Sequence, residues 1–191
     1  MAAASLLDHP WITRWKLDVH AYHRLGDAGI LGADDRVELI EGEVVAMSPI
    51  GAAHVGAVMA LTRLLVVAFG DRAHVSPQGS VRLDANSEPQ PDLALLRPRA
   101  DQYRNALPAP ADILLLVEVA DSSLRFDRLV KLPLYARHGI PEVWIVDLAA
   151  GAIEVHRGPG PAGYAAATRA GRGDRLEPMP GLALRADDIL G

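Results

Sequence analysis

The sequence predicts an α/β (α+β) fold, a mixed β-sheet flanked by helices. Three observations predict it. The elements run helix, hairpin, helix, strands, helix, strand, hairpin. The stretch Ile113-Leu114-Leu115-Leu116-Val117-Glu118-Val119 is an apolar run, as expected for a strand covered on both faces. A strand–helix–strand unit over 113–147 makes its two strands parallel neighbours.

Taken in order, Asp18 to Ala28 reads as a helix with Val19, Tyr22 and Leu25 or Gly26 on one side. Residues Val37 to Val45 read as a hairpin turning at Glu41-Gly42. Ser48-Pro49 opens a helix from about Ala52 to Phe69, closed by Gly70. Val75 to Leu83, interrupted by Pro77 and Gly79, suggests a broken or edge strand. Pro91 to Leu96 is a strand beginning just after a proline, and prolines 98, 108 and 110 bracket a loop carrying Tyr103. Asp121 or Ser122 can cap a helix running to about His138, ended by Gly139, with a kink or local adjustment at Pro133. Val143 to Val146 is a second buried strand. The tail predicts a hairpin near 152–157, a strand near 163–168 and a strand at Leu182-Ala183-Leu184, with Gly158-Pro159-Gly160-Pro161 as a turn.

The 191 residues suit one domain over 1–191, with 1–16 a candidate flexible segment. Half the residues are hydrophobic and 23% are charged, as in an ordinary globular chain. No run of about 18 apolar residues is apparent, and the N-terminus lacks a basic start followed by an apolar stretch. Neither a membrane span nor a secretory signal is therefore expected. There are no cysteines, which excludes disulfides, thiolate zinc sites and a cysteine nucleophile. A cytoplasmic location is the default expectation. The net charge of −5 excludes a strongly basic nucleic-acid coat. The charge is uneven, however: Arg97 to Arg137 carries +2 and the rest −7. Only Lys16 and Lys131 are lysines among 19 basic residues. A lysine kept in mid-helix supplies a compact point charge that arginine cannot.

The candidate chemistry starts at Glu118. A carboxylate after five aliphatic residues is costly unless it is paired, hydrogen-bonded or bound to a metal. Asp92 opens another apolar strand. If the two strands are neighbours, two hard oxygen donors converge at one end of the sheet, which suits Mg²⁺ or Mn²⁺, with the Val119 carbonyl as a further ligand. Asp127, Lys131 and Tyr135 are spaced four and four on the following helix and share one stripe. Lys131 could then hold or deprotonate an attacking water and stabilise phosphate charge. The plainer alternative is an ordinary i,i+4 pair between Asp127 and Lys131, with Asp92 capping a turn. His20 and His23 could clamp zinc but lack a third ligand. Trp11, Trp15 and Trp144 read as packing anchors. Ser48 and Ser80 have no plausible triad setting.

The residues Pro91-Asp92, Leu116-Val117-Glu118-Val119, Asp127, Lys131, Tyr135, Gly139 and Pro141 to Asp147 resemble the bacterial restriction endonuclease domain of the "Uma-two" type. That family is a branch of the PD-(D/E)XK nucleases. The hairpin Glu38 to Gly42, Met47-Ser48-Pro49, His54 and Pro180-Gly181-Leu182 extend the likeness, which runs from about residue 17 to the C-terminus. The resemblance implies a restriction-endonuclease-like mixed sheet with an extra N-terminal hairpin and C-terminal β-hairpins. It implies Asp92 and Glu118 as ligands for Mg²⁺ or Mn²⁺, and Glu38 and His54 as further ligand or water-positioning groups. The superfamily's usual lysine, two residues after Glu118, is here Ala120, and Lys131 is the candidate substitute. A metal-dependent endonuclease acting on DNA phosphodiesters is the implied function. A catalytically silent module of the same fold, binding nucleic acid or protein, is the rival. Two-fold cutting of duplex DNA makes a homodimer an expectation without a direct sign in the sequence.

Overall fold

The computed structural model describes residues 11–32, 34–179 and 182–191. Residues 1–10 of the candidate flexible segment, and Pro180-Gly181 of the C-terminal resemblance, lie outside them. The first helix, α1 (Val19–Asp27), begins where the sequence places it. The Asp18 side chain accepts from the Ala21 N–H at 2.6 Å.

Strands β1 (Val37–Ile40) and β2 (Glu43–Ala46) form the expected antiparallel hairpin. Its turn residues Glu41 and Gly42 both have positive φ, 49° and 80°. A Cβ at Gly42 would also stand 2.8 Å from the Lys16 Cβ, so glycine meets both conformation and space there. Helix α2 (Ala52–Phe69) follows, with Gly51 rather than Ser48 at its N-cap. It buries His54, Ala57, Val58, Leu61, Leu65 and Phe69 against the sheet.

By length and composition, the run from Ala52 to Arg72 could cross a membrane, contrary to the sequence expectation. His54 and Arg63 break the run when it is read residue by residue, but an average over its length still passes. Packing on the sheet accounts for the apolar inner side.

Six strands make the central sheet in the order β3-β4-β5-β6-β7-β8. They are β3 (His74–Pro77), β4 (Leu93–Leu96), β5 (Ile113–Ala120), β6 (Glu142–Asp147), β7 (Ala152–Gly160) and β8 (Gly163–Ala170). Only β5 and β6 are parallel, as the strand–helix–strand reading requires; β3 is an edge, shorter than the expected 75–83. One face carries Leu93, Leu95, Leu115, Val117, Val119, Trp144 and Val146 against α2 and the C-terminal elements. The other carries Ala94, Leu96, Leu116 and Val143 against Ile40, Leu134 and Tyr135.

The connection from β5 to β6 is one helical run in three pieces: α3 (Leu124–Phe126), a π-helical turn (Asp127–Lys131) and α4 (Leu132–Arg137). Ser123, not Asp121 or Ser122, occupies the N-cap position and makes no side-chain cap bond. The adjustment expected at Pro133 is the π turn. Pro133 has no N–H, and its ring would press on the carbonyl four residues back. The wider turn, with the Leu132 N–H reaching Asp127 O, accommodates this.

Three tail expectations change. Gly158, Pro159 and Gly160 lie in β7, and the chain reverses just after them. The ladder to β6 ends at Arg157, so the missing N–H of Pro159 costs nothing on that side. The strand near 163–168 extends to Ala170. Strand β9 (Arg175–Met179), not foreseen, pairs with β10 (Leu182–Arg185) ahead of α5 (Asp187–Leu190). Of the three tryptophans, Trp144 is fully buried. Trp15 is 91% exposed and Trp11 is also largely exposed, because the segment before α1 packs little of its surface. His23 bonds Glu88 at 2.9 Å instead of pairing with His20.

Candidate active site

The register of the sheet builds the site. Leu93 faces Val117 across the antiparallel β4–β5 ladder, so Asp92 comes opposite Glu118 at the next position. Both follow the parity of Ala94 and Leu116 and belong to the face that receives α4 and the β1–β2 hairpin. Asp92 does not cap a turn: its Oδ2 accepts from the Val119 N–H at 2.8 Å, and its Oδ1 lies 2.9 Å from His54 Nε2.

Lys131 reaches the same point from the π turn. Its Nζ lies 3.1 Å from Glu38 Oε2, 3.2 Å from Glu118 Oε1 and 3.3 Å from the Gln90 carbonyl. The alternative of a solvated i,i+4 helix pair therefore does not describe this lysine, which is 4% exposed. Glu118, 3% exposed, also accepts a 2.6 Å bond from the Tyr135 hydroxyl. Asp127 accepts from the Ser123 hydroxyl at 2.7 Å, and the Gln90 N–H holds Glu38 at 3.0 Å.

A cavity of about 220 Å³ opens onto this cluster. Glu38, His54, Asp92, Glu118, Asp127 and Lys131 line it; Tyr135 stands behind Glu118, outside the lining. All seven side chains singled out in the sequence thus meet in or directly behind one cavity.

The electrostatics are strained by an excess of acid. Burial pushes Glu118 well above the usual carboxylate range, and Asp127, Asp92 and Glu38 push the same way; Lys131 offsets this only in part. Burial likewise raises Asp127, against the Ser123 bond and Lys131. For Lys131, burial alone would lower the pKa. The charges of Glu118, Glu38 and Asp127 reverse this and hold it above the ordinary lysine range. It is therefore a protonated ammonium here. The hydrogen bond and charge of Asp92 raise His54 against its own desolvation. His54 Nδ1 is buried without a partner.

Four carboxylates thus share one ammonium and one imidazole. Hard oxygen donors with surplus negative charge fit a divalent cation in kind. Among the described residues, however, no three His, Asp or Glu side chains already converge as a ligand group. Lys131 and Tyr135 occupy Glu118 in this arrangement.

Gln90, Ser123 and Arg36 were not singled out from the sequence. Gln90 works through its backbone, which side-chain identity does not reveal. Arg36, two residues before Glu38, could have been found from strand period.

Three comparisons bear on this geometry. No curated protein matches the chain. A crystal structure described as a putative nuclease of the DUF820 family, from Anabaena variabilis, superposes with a TM-score of 0.69 at 14% identity, covering 91% of this chain and 97% of that one. At that identity it shows the fold alone, a mixed sheet flanked by helices. The model of the Uma2 family, described as "Putative restriction endonuclease", matches residues 19–187, a span holding every site residue named above. The chain belongs to the Uma2 family of restriction-endonuclease type.

Proposed function

We propose that this chain is a divalent-metal-dependent endodeoxyribonuclease that hydrolyses DNA phosphodiester bonds at the Asp92–Glu118–Lys131 cluster. The observation that carries the reading is the buried Lys131 ammonium, 3.2 Å from Glu118 at the wall of a carboxylate-lined cavity. Asp92, Glu118 and the Val119 carbonyl would hold Mg²⁺ or Mn²⁺. When bound, the ion polarises the phosphoryl group and eases deprotonation of water.

The chain's own groups have separate tasks. His54 and the Val119 N–H fix the Asp92 carboxylate. Tyr135 orients Glu118 through its hydroxyl. Lys131, kept protonated by its carboxylate neighbours, stabilises the negative charge that grows on the phosphate as water adds to phosphorus and one ester P–O bond breaks. Glu38 holds Lys131 in place, and the charges of Glu38 and Asp127 keep it protonated.

The test is cleavage of duplex DNA in Mn²⁺. Asp92→Ala and Glu118→Ala should each abolish it, and wild-type cleavage by either purified variant ends the assignment.

Two observations favour a second reading, a silent module of the same fold. Among the described residues no ready three-donor group exists, and Ala120 stands where the superfamily's lysine is usual. Calorimetry separates the two readings. A protein showing no Mn²⁺ binding, with Asp92→Ala indistinguishable from wild type, is the module.

A further inference from the structure

We infer that Arg36 is the phosphate clamp of this site, taking the non-bridging oxygens of a DNA backbone phosphate at the cavity wall. The inference rests on the nuclease reading and adds the residue that seats the substrate.

The cavity has an unsolved charge problem. Glu38, Asp92, Glu118, Asp121 and Asp127 all line it, and a polyanion must approach that wall. Lys131 and Arg36 are the two lining residues that carry a permanent positive charge. Lys131 is buried, with Glu38, Glu118 and the Gln90 carbonyl already around its three donors. It can stabilise charge nearby but has no donor left to seat an incoming backbone. That task falls to the other cation.

Arg36 is built for it. The Met47 N–H bonds the Arg36 carbonyl at 2.8 Å and continues the β1–β2 ladder by one step, so Arg36 has a strand-like position. It lies two residues before Glu38, and strand period puts both side chains on the cavity face. Arg36 Nη1 donates to the Ser48 carbonyl at 2.9 Å, which fixes the guanidinium against the wall. The residue is exposed, and among the described residues no carboxylate forms an ion pair with it, unlike Arg14, Arg99, Arg128, Arg137, Arg157 and Arg185. A guanidinium has five N–H donors in a rigid fork, matched to two phosphate oxygens at once. One donor anchors it and the others face solvent or cavity.

The neighbouring backbone has the same polarity. Helix α2, eighteen residues long, starts at this wall, with Ile50 and His54 among the lining residues. Its first turn holds no acid, so its N–H groups and dipole add positive potential there, offset in part by the Asp121 carboxylate, whose Oδ2 would stand 3.3 Å from a Cβ at Gly51. The unpartnered Nδ1 of His54 lies in that first turn. The ligand this set accepts is a phosphodiester, read by charge and shape, without base information.

The experiment is fluorescence anisotropy of a labelled duplex oligonucleotide in constant Ca²⁺ across a range of NaCl, with the oligonucleotide checked intact on a gel. Arg36→Gln should bind several-fold more weakly than wild type. Its plot of log affinity against log salt should be shallower by about one phosphate contact, a slope change of ~0.9. Arg36→Lys should recover the slope and part of the affinity, since it keeps the charge and loses the fork; a purely structural tie to Ser48 would not move the slope. Arg63→Gln, on the outer side of α2 away from the cavity, should match wild type. If Arg36→Gln keeps the wild-type affinity and slope, the clamp is wrong and the nuclease reading stands. If wild type shows no salt-dependent DNA binding, both are wrong.

Discussion

Lys131 Nζ stands 3.1 Å from Glu38 Oε2, which joins the N-terminal hairpin to the helical run after β5. The bond is buried, and the same Glu38 oxygen also accepts from the Gln90 N–H at 3.0 Å. One ammonium therefore ties β1, the approach to β4, β5 and the π turn into a single unit. The cluster is part of what holds this end of the fold together.

Removing that ammonium should be costly. Lys131→Ala leaves Glu38 and Glu118 buried without their counter-charge, and breaking a buried pair in this way typically costs about 3–5 kcal/mol. Urea unfolding at neutral pH should show a loss of that order. A change under about 1 kcal/mol would mean that the cluster rearranges freely.

Glu118 and Asp127 should make the metal-free protein more stable in mild acid. Both carboxyls have raised pKa values in the folded state, so folding favours their protonated forms. Their contribution is fully present below the ordinary carboxylate range and is lost as pH rises through the raised values. Lys131 is also raised, but its contribution is lost only above the ordinary lysine range and does not enter between pH 5 and 8. In EDTA, Glu118→Gln should melt above wild type at pH 8, by about 2–4 °C per kcal/mol for a chain of this size, with a flatter dependence of Tm on pH. Calorimetric scans at several pH values check this; parallel curves for the two proteins would contradict it.

Tyr135→Phe removes one oxygen and leaves the ring in place. The hydroxyl is fully buried and donates to Glu118, so its loss should cost about 1–3 kcal/mol. It should also slow cleavage in Mn²⁺, because Glu118 loses the bond that orients it. Denaturant titration and initial rates read the two effects separately.

His54 touches the proposed ligand Asp92 from outside. Partners that orient a metal-binding carboxylate are typically worth about 10–100-fold in metal affinity. His54→Ala should lower Mn²⁺ affinity by that order in titration calorimetry, with a near-native far-ultraviolet spectrum. Unchanged affinity would make the His54–Asp92 contact purely structural.

Much of this was legible before any coordinates. The apolar run up to Glu118 specified a strand covered on both faces, and β5 is that strand. Asp127, Lys131 and Tyr135 were legible as one group from their spacing, although a π turn intervenes. The convergence of Asp92 with Glu118 depended on strand order, which spacing alone leaves open. Glu38 and Gln90 reach Lys131 only through tertiary packing, and the Gln90 contribution is all backbone. The exposed Trp15 misled because a large aromatic residue suggests a core it does not reach. Strand β9 hid in an arginine- and proline-punctuated tail with weak alternation.

The central claim is a cation held by Asp92 and Glu118. A crystal of the protein soaked in Mn²⁺ and measured at the manganese absorption edge tests it most directly. The account predicts an anomalous peak in contact with both carboxylates, absent from crystals of Asp92→Ala. No peak in this cavity, or one that persists unchanged in that variant, would contradict it.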